Sequence, residues 1–132
     1  MTTSDLKQQA TATMMNAYSP YSNFKVGAAI QTAAGNIYSG CNVENISYGL
    51  SICAERNAIM QAVAAEGPAM KLAAVVVTNY NQNGESGACS PCGACRQFMI
   101  EFATPDTTVT YPGEHGDIET TADKLLPDSF SF

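Results

Sequence analysis

Positive charge is scarce in this sequence: six Lys and Arg face twelve Asp and Glu, leaving a formal net charge of −6 over 132 residues. The few cations are spread thinly, so the chain lacks the basic face that a phosphate backbone requires, which argues against a nucleic-acid partner. Met1 to Lys7 lack the basic start and apolar run of a secretion signal, and no apolar stretch approaches a membrane span. A cytoplasmic location without a membrane partner is therefore expected. Histidine is nearly missing too, since the single one, His115, lies in a Gly-Glu-His-Gly turn and reads as a solvated loop residue. Repeats, linkers and low-complexity tracts are absent. The length suits one domain, residues 1–132, which can bury roughly two thirds of the surface its unfolded chain exposes.

What the chain does contain is cysteine, five residues in all. In a reducing compartment such thiols serve metal binding or catalysis more often than disulfides. Two clusters stand out, Cys53-Ala54-Glu55 and Pro91-Cys92-Gly93-Ala94-Cys95. Three thiolates with an acid nearby describe an open zinc site, because a closed structural site takes four protein ligands and a catalytic one leaves a position for water. If both segments open helices, Cys92 and Cys95 lie one turn apart on one face, and a second helix start brings Cys53 alongside. Three thiolates leave a Zn²⁺ site with a net charge of −1, which weakens its hold on a water proton. The positive ends of two helices and hydrogen bonds from Arg56, with Arg96 as a second candidate, would draw that charge off. Glu55 then suits a proton shuttle between a metal-activated water and a departing amine. A closed four-cysteine site through Cys89-Ser90-Pro91-Cys92 stays open as the alternative on spacing alone.

The surrounding pattern is that of an α/β protein. A first helix is predicted over residues 4–17, capped by Ser4 or Asp5, with Leu6, Ala10, Met14 and Ala17 at helical spacing. Residues 24–32 alternate as a strand, and Ala34-Gly35-Asn36 turns the chain into a second strand at 37–41. A helix over 53–65 stops at Gly67-Pro68, and the apolar run 72–78 reads as a central strand covered on both faces. After a polar loop at 79–90, Pro91 is expected in the first turn of a helix reaching about Ala103. Short strands at 107–111 and 116–120 and a last helical turn at 122–126 complete a mixed sheet of about five strands sandwiched by helices. The methionines Met14, Met15, Met60, Met70 and Met99 are expected to fill the core.

These motifs resemble the cytidine deaminases, specifically the small homotetrameric zinc-dependent type with its three-layer α/β/α fold. Cys53-Ala54-Glu55-Arg56-Asn57-Ala58 and Ser90-Pro91-Cys92-Gly93-Ala94-Cys95-Arg96-Gln97 match its signatures, and 17–27, 40–45 and 125–130 are similar to further family segments. The resemblance implies one zinc per chain on Cys53, Cys92 and Cys95, with hydroxide on that metal attacking C4 and Glu55 moving the protons. It implies that Asn42 and Glu44 grip the ribose, that Phe24 stacks on the pyrimidine, and that the backbone around Ala54 and Ser90 reads the base. Tyr48 and Phe130 would be substrate walls beside a neighbouring subunit's pocket in a homotetramer. The implied reaction is hydrolysis of cytidine and 2'-deoxycytidine to the uridines and ammonia, in pyrimidine salvage. Deamination of a related aminopyrimidine, as in the blasticidin S type, and a non-catalytic four-cysteine zinc module are the alternatives. Cys41 and Cys89 match no ligand position and read as ordinary small residues.

Overall fold

A capping box starts the first helix. In the computed structural model, which describes residues 1–131, the Thr2 hydroxyl accepts from the Asp5 N–H at 3.1 Å while the Asp5 carboxylate accepts from the Thr2 N–H at 3.0 Å. The cap is thus Thr2 rather than Ser4 or Asp5, and α1 spans Thr3–Met14. It ends short of Ala17 because Tyr18 is drawn into an extended bridge with Val43, its N–H donating to the Asn42 carbonyl at 3.1 Å. The chain continues through β1 (Lys25–Thr32), β2 (Ile37–Cys41), a 3-10 turn (Tyr48–Leu50), α2 (Ala54–Glu66) and β3 (Leu72–Tyr80). It then forms α3 (Gly93–Phe102), β4 (Ala103–Gly113), β5 (Gly116–Thr121) and α4 (Ala122–Leu125). Phe132 lies outside the described residues.

The five strands make one sheet in the order β2-β1-β3-β4-β5. Only β3 and β4 run parallel, joined by the α3 crossover, and the other pairs are antiparallel. The expected central strand is β3, and its alternation explains its continuous apolar run. Val75 and Val77 pack toward a core with Ile30, Ile59, Met99 and Val109, while Val76 packs on the opposite face with Leu6, Ala10 and Ala29. Helix α1 therefore covers one face, and residues of α2, α3 and α4 packed around Val75 and Val77 cover the other, which gives the three-layer α/β/α architecture. Met14, Met70 and Met99 are buried as expected. Met15 and Met60 are not: they are 56% and 43% exposed, one beyond the end of α1 and the other on the outer side of α2.

Strand β4 is longer than the expected 107–111. The Thr107 hydroxyl donates to the Leu72 carbonyl and, together with the Leu72–Ala103 pairing, bridges the register shift between Leu72 and Ala74, so the residues between the expected helix and strand join the sheet. Close approach fixes the layers. A Cβ at Gly40 of β2 would fall 2.6 Å from the Ala58 nitrogen and 2.8 Å from the Ala54 carbonyl oxygen, so the start of α2 lies directly on the strand.

Candidate metal centre and its cavity

Two helices begin on cysteine. Cys53 is the N-cap of α2 and Cys92 the N-cap of α3, their carbonyls accepting from Asn57 and Arg96 at 3.0 Å. Pro91 consequently precedes the cap rather than occupying the first turn, because the Cys92 carbonyl already accepts the first helical bond. Cys95 lies in the first turn of α3 and is buried. Packing of α2 against α3 brings the three sulfurs within 4.8 Å of one another, with Cys92 3.5 Å from Cys95 and 3.9 Å from Cys53. Three sulfurs on a tetrahedral zinc, each at about 2.3 Å, lie about 3.8 Å apart. The donor set and its spacing therefore fit zinc.

The electrostatics are those of a site short of positive charge. A hydrogen bond from Cys95, assisted by Arg56, holds the Cys53 thiol well below its ordinary range. The same bond, together with burial, pushes the Cys95 thiol up. The Arg56 guanidinium donates through Nη2 to the Cys53 sulfur at 3.5 Å and to the Ser51 carbonyl at 3.3 Å. Arg96 has other work. Its Nε donates to the Pro91 carbonyl at 2.7 Å, Nη1 to the Leu125 carbonyl at 2.9 Å and Nη2 to the Ser90 hydroxyl at 3.1 Å. It ties the loop before α3 to the end of α4, a role that only the three-dimensional arrangement reveals.

Glu55 is 4% exposed in the second position of α2. Burial, with the nearby Cys53 thiolate adding, pushes its carboxyl above the usual range, so it holds a proton more readily than a surface carboxylate. It lines a cavity of about 240 Å³ together with Asn42, Glu44, Cys53, Ala54 and Cys92. The sheet and its bridges explain the company. Val43 pairs with both Tyr18 and Ile52, so the Asn42–Glu44 segment is extended and both flanking side chains reach one cavity. The Asn42 amide accepts from the Val26 N–H and donates to the Phe24 carbonyl, both at 2.9 Å, which locks it onto β1. Glu44 accepts from the Tyr21 and Ser22 N–H groups and from the Ser22 hydroxyl, and that hydroxyl above all holds its carboxyl below the ordinary range.

The remaining expected site residues lie apart. Phe24 is half-buried and is not among the residues lining this cavity, where Val26 takes the β1 position. Tyr48, 75% exposed, lines an adjoining groove that shares Glu44 and Ser51 with the cavity, and its ring meets Tyr21 edge-on with centroids 6.1 Å apart. Phe130 is 64% exposed, its carbonyl accepting from Gln97 at 3.5 Å. Cys89 lines the cavity but stands outside the three-sulfur cluster, its N–H donating to the Pro112 carbonyl. That geometry disfavours the closed four-cysteine site. Ser51, Ile52, Val77 and Asn79 also line the cavity, and no chemical motif marks them in the sequence.

Comparison with known proteins agrees with this geometry. A family model for the cytidine and deoxycytidylate deaminase zinc-binding region matches residues 1–111. The cytidine deaminase of Sporosarcina psychrophila is 47% identical over 116 residues, covering 87% of this chain and 81% of that protein. The cytidine deaminase of Halalkalibacterium halodurans is 42% identical over 127 residues, covering 96% and 92%. A crystal structure of cytidine deaminase from Burkholderia pseudomallei superposes with a TM-score of 0.85 at 46% identity, over 98% of this chain and 100% of that one.

Proposed function

This chain belongs to the cytidine and deoxycytidylate deaminase family, and from that membership we propose how its own residues deaminate cytidine. The observation that carries the reading is the buried Glu55 beside three sulfurs at zinc spacing on the wall of a cavity of about 240 Å³. Cys53, Cys92 and Cys95 hold the metal, and Arg56 and the two helix starts offset the thiolate charge. Zinc bound there supplies Lewis acidity that brings a water's pKa toward neutrality. Glu55 takes a proton from the attacking water, delivers it to the ring nitrogen, and passes a second to the amine leaving C4. Water is consumed and ammonia released, with cytidine becoming uridine and deoxycytidine becoming deoxyuridine. The backbone at Ala54 and Ser90 faces the base, with Phe24 stacking on it once substrate is present. The chain forms one catalytic domain, and the reaction takes place in the cytoplasm as a step of pyrimidine salvage.

Asn42 and Glu44 hold the sugar, their backbone-locked side chains presenting fixed partners to its hydroxyls. Glu44, kept ionised by Ser22, also sets specificity: a phosphate on the sugar meets like charge. Purified protein should therefore bleach the cytidine absorbance and turn over cytidine monophosphate at least about a hundredfold less efficiently, by kcat/KM. Comparable efficiency on both substrates would remove Glu44 from sugar recognition. No bleaching of cytidine would reject the function.

The working assembly in this reading is a homotetramer whose sites are completed across subunits. Ile46, Tyr48 and Leu50 are 80%, 75% and 65% exposed beside the groove that adjoins the cavity, an apolar cover that a second copy would bury. Phe130, on the chain's final segment, is the other candidate wall. Light scattering should give four chains, and Phe130→Ala should lower the mass, the affinity for cytidine, or both. A fully active monomer, or a Phe130→Ala protein unchanged in mass and affinity, would refute shared sites.

A further inference from the structure

Asn79 is polar, 1% exposed, and part of the cavity wall near the end of the otherwise apolar β3. Both halves of its amide are committed to one residue: Oδ1 accepts from the Gly87 N–H and Nδ2 donates to the Gly87 carbonyl, each at 2.9 Å. The arrangement imitates a rung of sheet, made by a side chain at a point where β4, which pairs with β3 from Leu72 to Val76, no longer runs alongside. Between the two partners the loop is held internally, with the Asn81 amide oxygen accepting from the N–H groups of Asn83 and Glu85 at 2.9 and 3.0 Å. Beyond Gly87 come Cys89, Ser90 and Pro91, all lining the cavity, and then the metal ligand Cys92.

This wall has three anchors. Arg96 holds its downstream end at Ser90 and Pro91, and the Cys89 N–H bonds to Pro112 in the middle. Asn79 holds the upstream end through Gly87. The metal cysteines and Glu55, by contrast, are placed by the starts of α2 and α3, which do not depend on Gly87.

We propose that Asn79 is a positioning residue for the deamination: through Gly87 it keeps the Cys89–Pro91 wall where the substrate meets it. The proposal rests on the reading of this cavity as the cytidine pocket. Its consequence is a split between kinetic parameters, because a loosened wall lowers the fraction of protein competent to bind while the chemistry of a bound substrate is untouched.

Zinc-loaded Asn79→Ala should show KM for cytidine raised about tenfold, the loss of competent fraction that two missing hydrogen bonds allow, with kcat within about twofold. Its zinc content should equal that of the parent chain. Gly87→Pro removes one of the two bonds at an exposed position and should raise KM in the same direction by a smaller factor. It decides the matter if Asn79→Ala does not fold. An unchanged KM in the folded, zinc-loaded variants, or a fall in kcat or thermal stability without a rise in KM, overturns the proposal. Absence of cytidine turnover in the parent chain is a different failure, since it rejects the cavity assignment itself and this proposal with it.

Discussion

Glu55→Gln should retain its zinc and lose cytidine turnover by at least about a hundredfold, the lower bound for removing a positioned acid and base. The substitution preserves size and helix position, and Glu55 is not one of the three clustered sulfur donors, so neither fold nor metal depends on its charge. What disappears is the capacity to take a proton and return it. The 4% exposure matters here, because no bulk water stands in for the missing carboxylate inside the cavity. Steady-state rates on protein of measured zinc content provide the check. Near-normal turnover in a zinc-loaded Glu55→Gln enzyme would remove Glu55 from the proton path.

Cys92→Ala should reduce zinc affinity by more than about a hundredfold, beyond the ten- to hundredfold associated with losing an outer partner, and activity should vanish with the metal. The sulfur of Cys92 stands between those of Cys53 and Cys95 at 3.9 and 3.5 Å, so its removal opens the triangle rather than trimming an edge. Cys53→Ala and Cys95→Ala should behave alike. Cys89→Ala should keep its zinc, since that thiol lies outside the cluster. Metal analysis after dialysis measures all four. Equal zinc loss in Cys89→Ala and Cys92→Ala would make the site a closed one and contradict the open-site chemistry.

Much of this centre was legible because its chemistry is carried by rare residue types at short spacing. Cys92 and Cys95 one helical turn apart, with Cys53 opening an alanine-rich helix, constrain geometry strongly. The central strand was legible for a similar reason, since Leu72 to Thr78 offers no polar face. Side-chain bonds to distant backbone were not legible. The cap at Thr2 competes with Ser4 and Asp5 as an equally good signal, and only the reciprocal Asp5 contact selects it. The extension of β4 depends on one hydroxyl reaching the Leu72 carbonyl from Thr107, 35 residues away. Arg96 belongs to this class as well, since it reads as a second candidate to offset the thiolate charge but its guanidinium is taken by Pro91, Ser90 and Leu125. Asn79, expected in the loop at 79–90, lies in β3 with its amide taken by Gly87. The exposure of Met15 and Met60 follows from helix ends and faces that periodicity defines only to within a turn.

Both metal-bearing helices begin on a thiol that makes no side-chain capping bond. Serine, threonine, asparagine or aspartate in those places would contribute about 1 kcal/mol to each helix. The chain thus leaves two uncapped helix beginnings side by side, 39 residues apart in sequence, at the place a cation would tie together. Zinc-free protein should therefore be cut faster than zinc-loaded protein in limited proteolysis, because local opening is what a protease reads. Loading then bears on how well a copy resists unfolding as well as on how fast it works.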